Sequence, residues 1–169
     1  MEVLSHVVFT LKNSRYDFEK VRSKKSAGYI APTYPFIEGK EEEILVEEIC
    51  NVAIGLNLQI LALNFCGDHV HCIIWSKTED LSTLMRLWKG KISYIYNRRL
   101  YPNFDVKNAV KPDGTKQALW AKSYYQKILL SHSEVQKTMN YIINNRLKHG
   151  LKPLSISSIN RIEQLIIKR

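Results

Sequence analysis

Residues 67–75, GDHVHCIIW, set two histidines one residue apart at the head of an apolar run. On an extended strand alternate side chains share a face, so His69 and His71 stand together while Val70, Cys72 and Ile74 point the other way. Two such imidazoles are either metal ligands or satisfied sheet histidines, and the rest of the chain must decide. A second candidate is Tyr141. In the stretch 134–148, Val135, Met139, Ile142, Ile143 and Leu147 occupy one side of a helical wheel, and Tyr141 falls almost opposite them. Asn145 follows one turn later, with Lys137, Thr138 and Lys148 flanking. A phenol among hydrogen-bonding and basic groups has the setting of a nucleophile rather than of core packing.

These residues need a scaffold. HVVFTLK (6–12) reads as a first strand, and residues 13–39, with Gly28, Pro32, Pro35 and Gly39, as an irregular basic loop. Helical spacing of Ile44, Leu45, Ile49, Val52 and Ala53 predicts a helix over 41–56, with acids in its first turn where the dipole favours them. LQILALNFC is a strand, Gly67-Asp68 a tight turn, and 69–75 the antiparallel return. Asp80 can cap a helix reaching Arg98, whose apolar stripe is Leu81, Leu84, Met85, Trp88, Ile92 and Ile95; Trp88 therefore belongs to the core. Pro102, Pro112 and PDGT make 101–118 a loop, and LWAKSYYQKILL is a fourth strand. Ser133 with Gln136 offers a capping box for the tyrosine helix, and Gly150 a residue to end it. Ile159, Ile162, Leu165 and Ile166 continue helically in the tail. The order β-α-β-β-α-β followed by helices predicts an α+β fold: a ferredoxin-like split βαβ sandwich, its antiparallel sheet carrying helices on one face, with the tyrosine on a later helix. The domain reading is 1–150 for the body and 151–169 for a helical tail of the same domain.

The 169 residues suit one domain with a full core. The opening MEVLSHVVFTLKN has no basic leader, and no apolar run is long enough for a membrane span, so a cytoplasmic protein is expected. Cys50, Cys66 and Cys72 lack CxxC spacing and read as small core residues. Charge is more informative. Lys and Arg number 25 against 16 Asp and Glu, a net +9, and five of the acids crowd into 41–48, leaving the remaining surface more basic still. A polyanionic partner follows.

Taken together, HVVFTLK, GDHVHCIIW, the helix LSTLMRLWKGKISYIY, LWAKSYY and YIINNRLKHGL resemble, in order, the single-tyrosine HUH transposases that act on single-stranded DNA. The set runs from about residue 5 to 151. The tyrosine segment looks most like the REP-associated tyrosine transposase branch, which has Asn four residues after Tyr, whereas other insertion-sequence members usually carry Gln. That branch usually places Pro after the Asn; Arg146 stands there instead.

The resemblance implies Tyr141 as the nucleophile and His69, His71 and Asn145 as the ligands of a divalent cation, Mg²⁺ or Mn²⁺. All three ligands are neutral, so the ion's charge would remain available to a phosphate oxygen. It also implies a 5′-phosphotyrosine link with a free 3′-OH, and single-stranded or hairpin DNA as partner. Insertion-sequence members are typically homodimers, the REP-associated branch monomeric. A free phenol has a pKa near ~10, so deprotonation needs help; Lys137 and Lys148 are candidate electrostatic helpers. Candidate DNA contacts are Arg86, Lys89, Lys91, Arg98, Lys122, Lys137 and Lys148, part of the second-helix group reading as a solvated face. His6, His132 and His149 have no such support. Two other functions compete: a non-catalytic, transposase-derived nucleic-acid-binding domain, and a metal-dependent phosphohydrolase without a covalent intermediate.

Overall fold

The computed structural model describes residues 1–12, 36–100 and 119–166. The elements are β1 (Glu2–Thr10), α1 (Gly39–Gly55), β2 (Gln59–Phe65), β3 (His69–Lys77), α2 (Leu81–Leu100), β4 (Tyr125–Leu129), α3 (His132–Lys148) and α4 (Ile156–Leu165). The strands form one sheet in the order β2-β3-β1-β4, with every neighbouring pair antiparallel. This is the split βαβ arrangement: β3 inserts between β1 and β2, which run parallel to each other. The two loop expectations lie outside the described residues, apart from 36–38, which lead into α1, and Gly39, its first residue.

Alternation along β1 and β3 builds two different sheet faces. Val7, Phe9, Val70, Cys72 and Ile74 join Leu45, Ile49, Met85, Trp88 and Ile92 in the main core beneath α1 and α2. Phe9 sits edge-on to Trp88 and Trp120, with centroids 5.2 and 4.8 Å apart. Trp88 is fully buried and its indole N–H donates to the Ile49 carbonyl at 2.9 Å, which satisfies the one polar atom it carries inside. The three cysteines are buried too; burial pushes the Cys50 and Cys66 thiols up to about 12 and about 11, so they behave as packing residues. α4 adds Ile162 and Leu165 to the same core.

The other face is covered as well, which corrects the expectation of helices on one face only. Ile142 of α3, fully buried, packs with Ala62, Ile73 and Leu129 in a second cluster, joined by Val135 and Met139. A register shift between Ile60 and Ala62 puts Leu61 and Ala62 together against the second cluster, while Ile60 and Leu63 face the main core. The cause lies in β3 itself: from His69 to Ile74 it is buried on both faces, so it needs a cover on each.

Two local expectations shift. β4 is shorter than LWAKSYYQKILL, because ahead of it only Leu11 and Trp120 bridge. The cap of α3 is Ser131, not Ser133. Its hydroxyl accepts from the Glu134 N–H at 3.2 Å, while the Glu134 carboxylate accepts from the Leu130 N–H at 2.8 Å. A carboxylate in the first turn suits the helix dipole better than the neutral Gln136 would. At the far end Gly150, at φ +65°, closes α3 with Leu151 N–H to Arg146 O and Gly150 N–H to Leu147 O. That pair of bonds is a Schellman close, which requires a left-handed residue at this point.

Candidate active site

β1 and β3 are the inner strands, and their register places His71 opposite Val8 and Ile73 opposite His6. Cross-strand partners share a face, so His6, His69 and His71 all lie beneath α3. His71 Nδ1 is 3.1 Å from His6 Nε2, and the two rings stack with centroids 5.3 Å apart. His69 Nδ1 is hydrogen-bonded to the Asp68 carboxylate. That bond holds the proton on Nδ1 and turns the Nε2 lone pair inward, the arrangement of a carboxylate-oriented ligand histidine. Burial, and then the charge of Lys127, lower the His6 pKa below its ordinary value, so His6 is a neutral neighbour able to accept from His71.

α3 brings the other two groups. The Tyr141 ring stands edge-on to His71 at 5.3 Å and to His6 at 6.2 Å. One turn on, Asn145 is 1% exposed and its amide nitrogen lies 3.5 Å from His69 Nε2. The oxygen and nitrogen of an amide exchange by rotation, and the exchanged form sets Oδ1 beside Nε2. Two imidazoles and an amide converging in this way fit a divalent cation with mixed N/O preference. Among the described residues no group of three or more His, Cys, Asp or Glu side chains is placed to hold a metal, so the amide is needed to complete the candidate set. Lys148 Nζ lies 4.4 Å from the Tyr141 ring centroid. The cleft over these groups, about 470 Å³, is lined by Asp68, His69, His71, Tyr141, His149 and Phe36 among others.

Against this fold and site stand the comparisons. The family profile described as "Transposase IS200 like" matches residues 2–145, from β1 through Asn145. The chain belongs to the IS200-like transposase family. Among solved structures it is similar to a REP-associated tyrosine transposase bound to a REP hairpin, at 15% identity and TM-score 0.54, covering 89% of this chain and 70% of that one. A protein from Deinococcus radiodurans described as a candidate transposase matches at 17% identity and TM-score 0.44, over 86% of this chain and 92% of that one. No curated protein sequence matches.

In this family member the helical wheel of α3 is rotated from the expected one. Ile143 and Leu147 are exposed, whereas Asn145 and Arg146 are buried and Tyr141 is 37% exposed beside them. A wheel ranks positions by apolarity, but the sheet beneath this end of α3 is polar. Asn64, opposite His71 on β2, donates to the Ile142 carbonyl at 2.8 Å and fixes the helix there. Arg146 accounts for its own departure from the resemblance. Its guanidinium bonds Glu42 of α1 at 2.6 and 3.3 Å, the Phe65 carbonyl at 2.7 Å and the Lys152 carbonyl at 2.6 and 2.8 Å. A planar fork of donors ties the Asn145 end of α3 to α1 and to the end of β2, which Pro has no group to do.

The basic candidates divide. Arg86, Lys91, Arg98, Lys122, Lys137 and Lys148 are exposed. Lys89 is buried, and its ammonium donates to the carbonyls of Ala121, Lys122 and Ser123 at 2.6, 3.2 and 3.1 Å. It fastens α2 to the chain entering β4, so its charge is not presented to solvent. Arg98 turns toward Tyr94, bonding its hydroxyl at 2.8 Å. His6 and His149 have no sequence support and Asp68 reads only as a turn residue, yet all three adjoin the site; His149 stands 5.4 Å from His69, ring to ring. For His6 the signal was position, since the split βαβ order puts HVVFTLK beside GDHVHCIIW. His132 is exposed at the start of α3.

Proposed function

We propose that this transposase cleaves and rejoins single-stranded DNA beside hairpins through a covalent link to Tyr141. The observation that carries the reading is the convergence of α3 on β3: Tyr141 meets His71 while Asn145, one turn later, meets His69. His69, His71 and Asn145 would hold Mg²⁺ or Mn²⁺, whose chemistry when bound is to polarise a non-bridging phosphate oxygen. Tyr141 gives up its proton to solvent, its Oη attacks phosphorus, the P–O3′ bond breaks, and the 3′ oxygen takes up a proton from solvent to leave as a free 3′-OH. The Lys148 ammonium favours the negative charge that develops on the phenol as its proton departs. The new ester keeps the bond's free energy, so reversal by a 3′-OH rejoins a strand without ATP. Arg86, Lys91, Arg98, Lys122, Lys137 and Lys148 supply phosphate contacts, and one chain carries every group of the candidate set.

The test is incubation with hairpin-bearing single strands and Mg²⁺, followed by a denaturing gel. The expected result is a protein–DNA adduct that maps to Tyr141, with affinity falling steeply as salt rises. His71→Ala should lose the adduct while keeping salt-sensitive binding. Cleavage without any adduct would replace this reading with a phosphohydrolase, and binding without cleavage would replace it with a non-catalytic domain.

A further inference from the structure

Phe36 has no part in the chemistry above, yet it lines the same cleft as His69, His71 and Tyr141. Half of its surface is exposed. It is nevertheless held in place. Ile37, next in the chain, is buried in the main core and its N–H donates to the Gly67 carbonyl at 2.8 Å. The Phe36 ring lies directly on Gly67, where a β-carbon would overlap it, and Gly67 sits at φ +77°. The GDHVH turn thus does two things: it aims His69 inward, and its bare glycine gives an aromatic ring a seat at the rim of the cleft.

We propose that Phe36 is the stacking platform for an unpaired base next to the scissile phosphate. A single strand held by its phosphate among His69, His71 and Asn145 carries its bases unpaired, and every base offers a π-face. A ring already fixed, with one side on backbone and the other open, stacks a base with little further loss of entropy. The occupant is a nucleobase rather than an apolar peptide because the chain carries a net charge of +9 and the cleft is lined by imidazoles and a phenol. Stacking reads ring area rather than hydrogen bonds, so the order of preference at this position is purine, then pyrimidine, then abasic. The proposal rests on the reading of the site as a single-strand DNA site.

Its test is fluorescence anisotropy at fixed salt with hairpin strands in which the unpaired flanking nucleotides are made abasic one at a time. For the wild-type chain one position should weaken binding by about five- to one-hundred-fold. Phe36→Leu, which keeps apolar bulk, should weaken the intact strand by a similar factor, and the abasic change at that position should then add nothing. Phe36→Trp should restore affinity, and melting temperatures should stay together across the three proteins. Wild-type affinity in Phe36→Leu, or losses that simply add at every position, overturns the platform. The adduct gel on the same strands separates the two readings. An adduct at Tyr141 with no effect of Phe36 removes the platform alone, and coupling at one position without an adduct removes the transferase alone. Absence of single-strand binding removes both.

Discussion

The two faces of β3 are both buried and are held by different forces. Val70, Cys72 and Ile74 are fully buried on one side, and His69 and His71 are 8% and 6% exposed on the other. On the first face volume and shape suffice. On the second, named groups come with named partners: His69 with Asp68, His71 with His6, Asn64 with the Ile142 carbonyl, Arg146 with Glu42. Burial alone does not separate core from site. The need for a specific partner does, since a polar group taken from water without one is costly.

The core face should show losses of stability as large as any in the molecule. Phe9→Ala removes a ring wedged between Trp88 and Trp120 and should cost about 3–5 kcal/mol. Urea unfolding measures it. A loss under about 1 kcal/mol would mean that this face is loosely packed and the contrast overstated.

Arg146→Met tests the polar clamp where α3 reaches across to α1. It leaves Glu42 buried without its counter-charge, a situation that costs about 3–5 kcal/mol. Converting Glu42 to Met as well should recover much of that loss, because desolvation of both charges is then avoided. If the double variant is no more stable than the single, the ion pair is not what the single variant lost. Adduct yield in the double variant asks a separate question: whether the clamp also sets the position of Asn145, its chain neighbour.

Smaller again is the helix cap. Ser131→Ala removes the acceptor for the Glu134 N–H and should cost about 1 kcal/mol, with Ser133→Ala close to neutral. Equal losses from the two would return the cap to Ser133.

The fold was legible to the extent that periodicity is local. Period-two alternation at 69–75 and helical spacing at 41–56 and 80–98 each mark an element from a few residues, and β-α-β-β-α-β then leaves few topologies. What was not legible depends on pairs far apart in the chain. Arg146 and Glu42 are separated by 104 positions, so nothing near either residue announces the other. The rotation of α3 is of the same kind, since a wheel cannot know that the surface beneath it carries His71 and Asn64. His6 lay in a strand already identified; only the β1–β3 register put it under the tyrosine. Lys89 read as an exposed cation because the carbonyls that take its charge lie 32 to 34 positions further along the chain.

The smallest effect on stability should accompany the greatest on chemistry. Tyr141 lies at the boundary of the polar face, in contact with His71 and open enough to meet a substrate. Its hydroxyl makes no hydrogen bond to the described residues, so Tyr141→Phe removes one exposed oxygen and keeps the ring. The edge contacts with His71 and His6, and the Lys148 ammonium over the ring, all survive the change. Unfolding free energy should move by less than about 0.5 kcal/mol. Binding of Mn²⁺ and of hairpin strands should be unaltered, since neither uses the phenol oxygen. The covalent adduct should vanish. Tyr125 is the informative rival. It lies on the same sheet face, opposite Val8, with its ring 6.1 Å from His6, and it is more exposed than Tyr141. It belongs to β4, however, and no candidate amide ligand follows it by a helical turn. Tyr125→Phe should therefore keep the adduct. A normal adduct from Tyr141→Phe that is lost in Tyr125→Phe would move the nucleophile from α3 to β4 and leave the two-faced sheet as it stands.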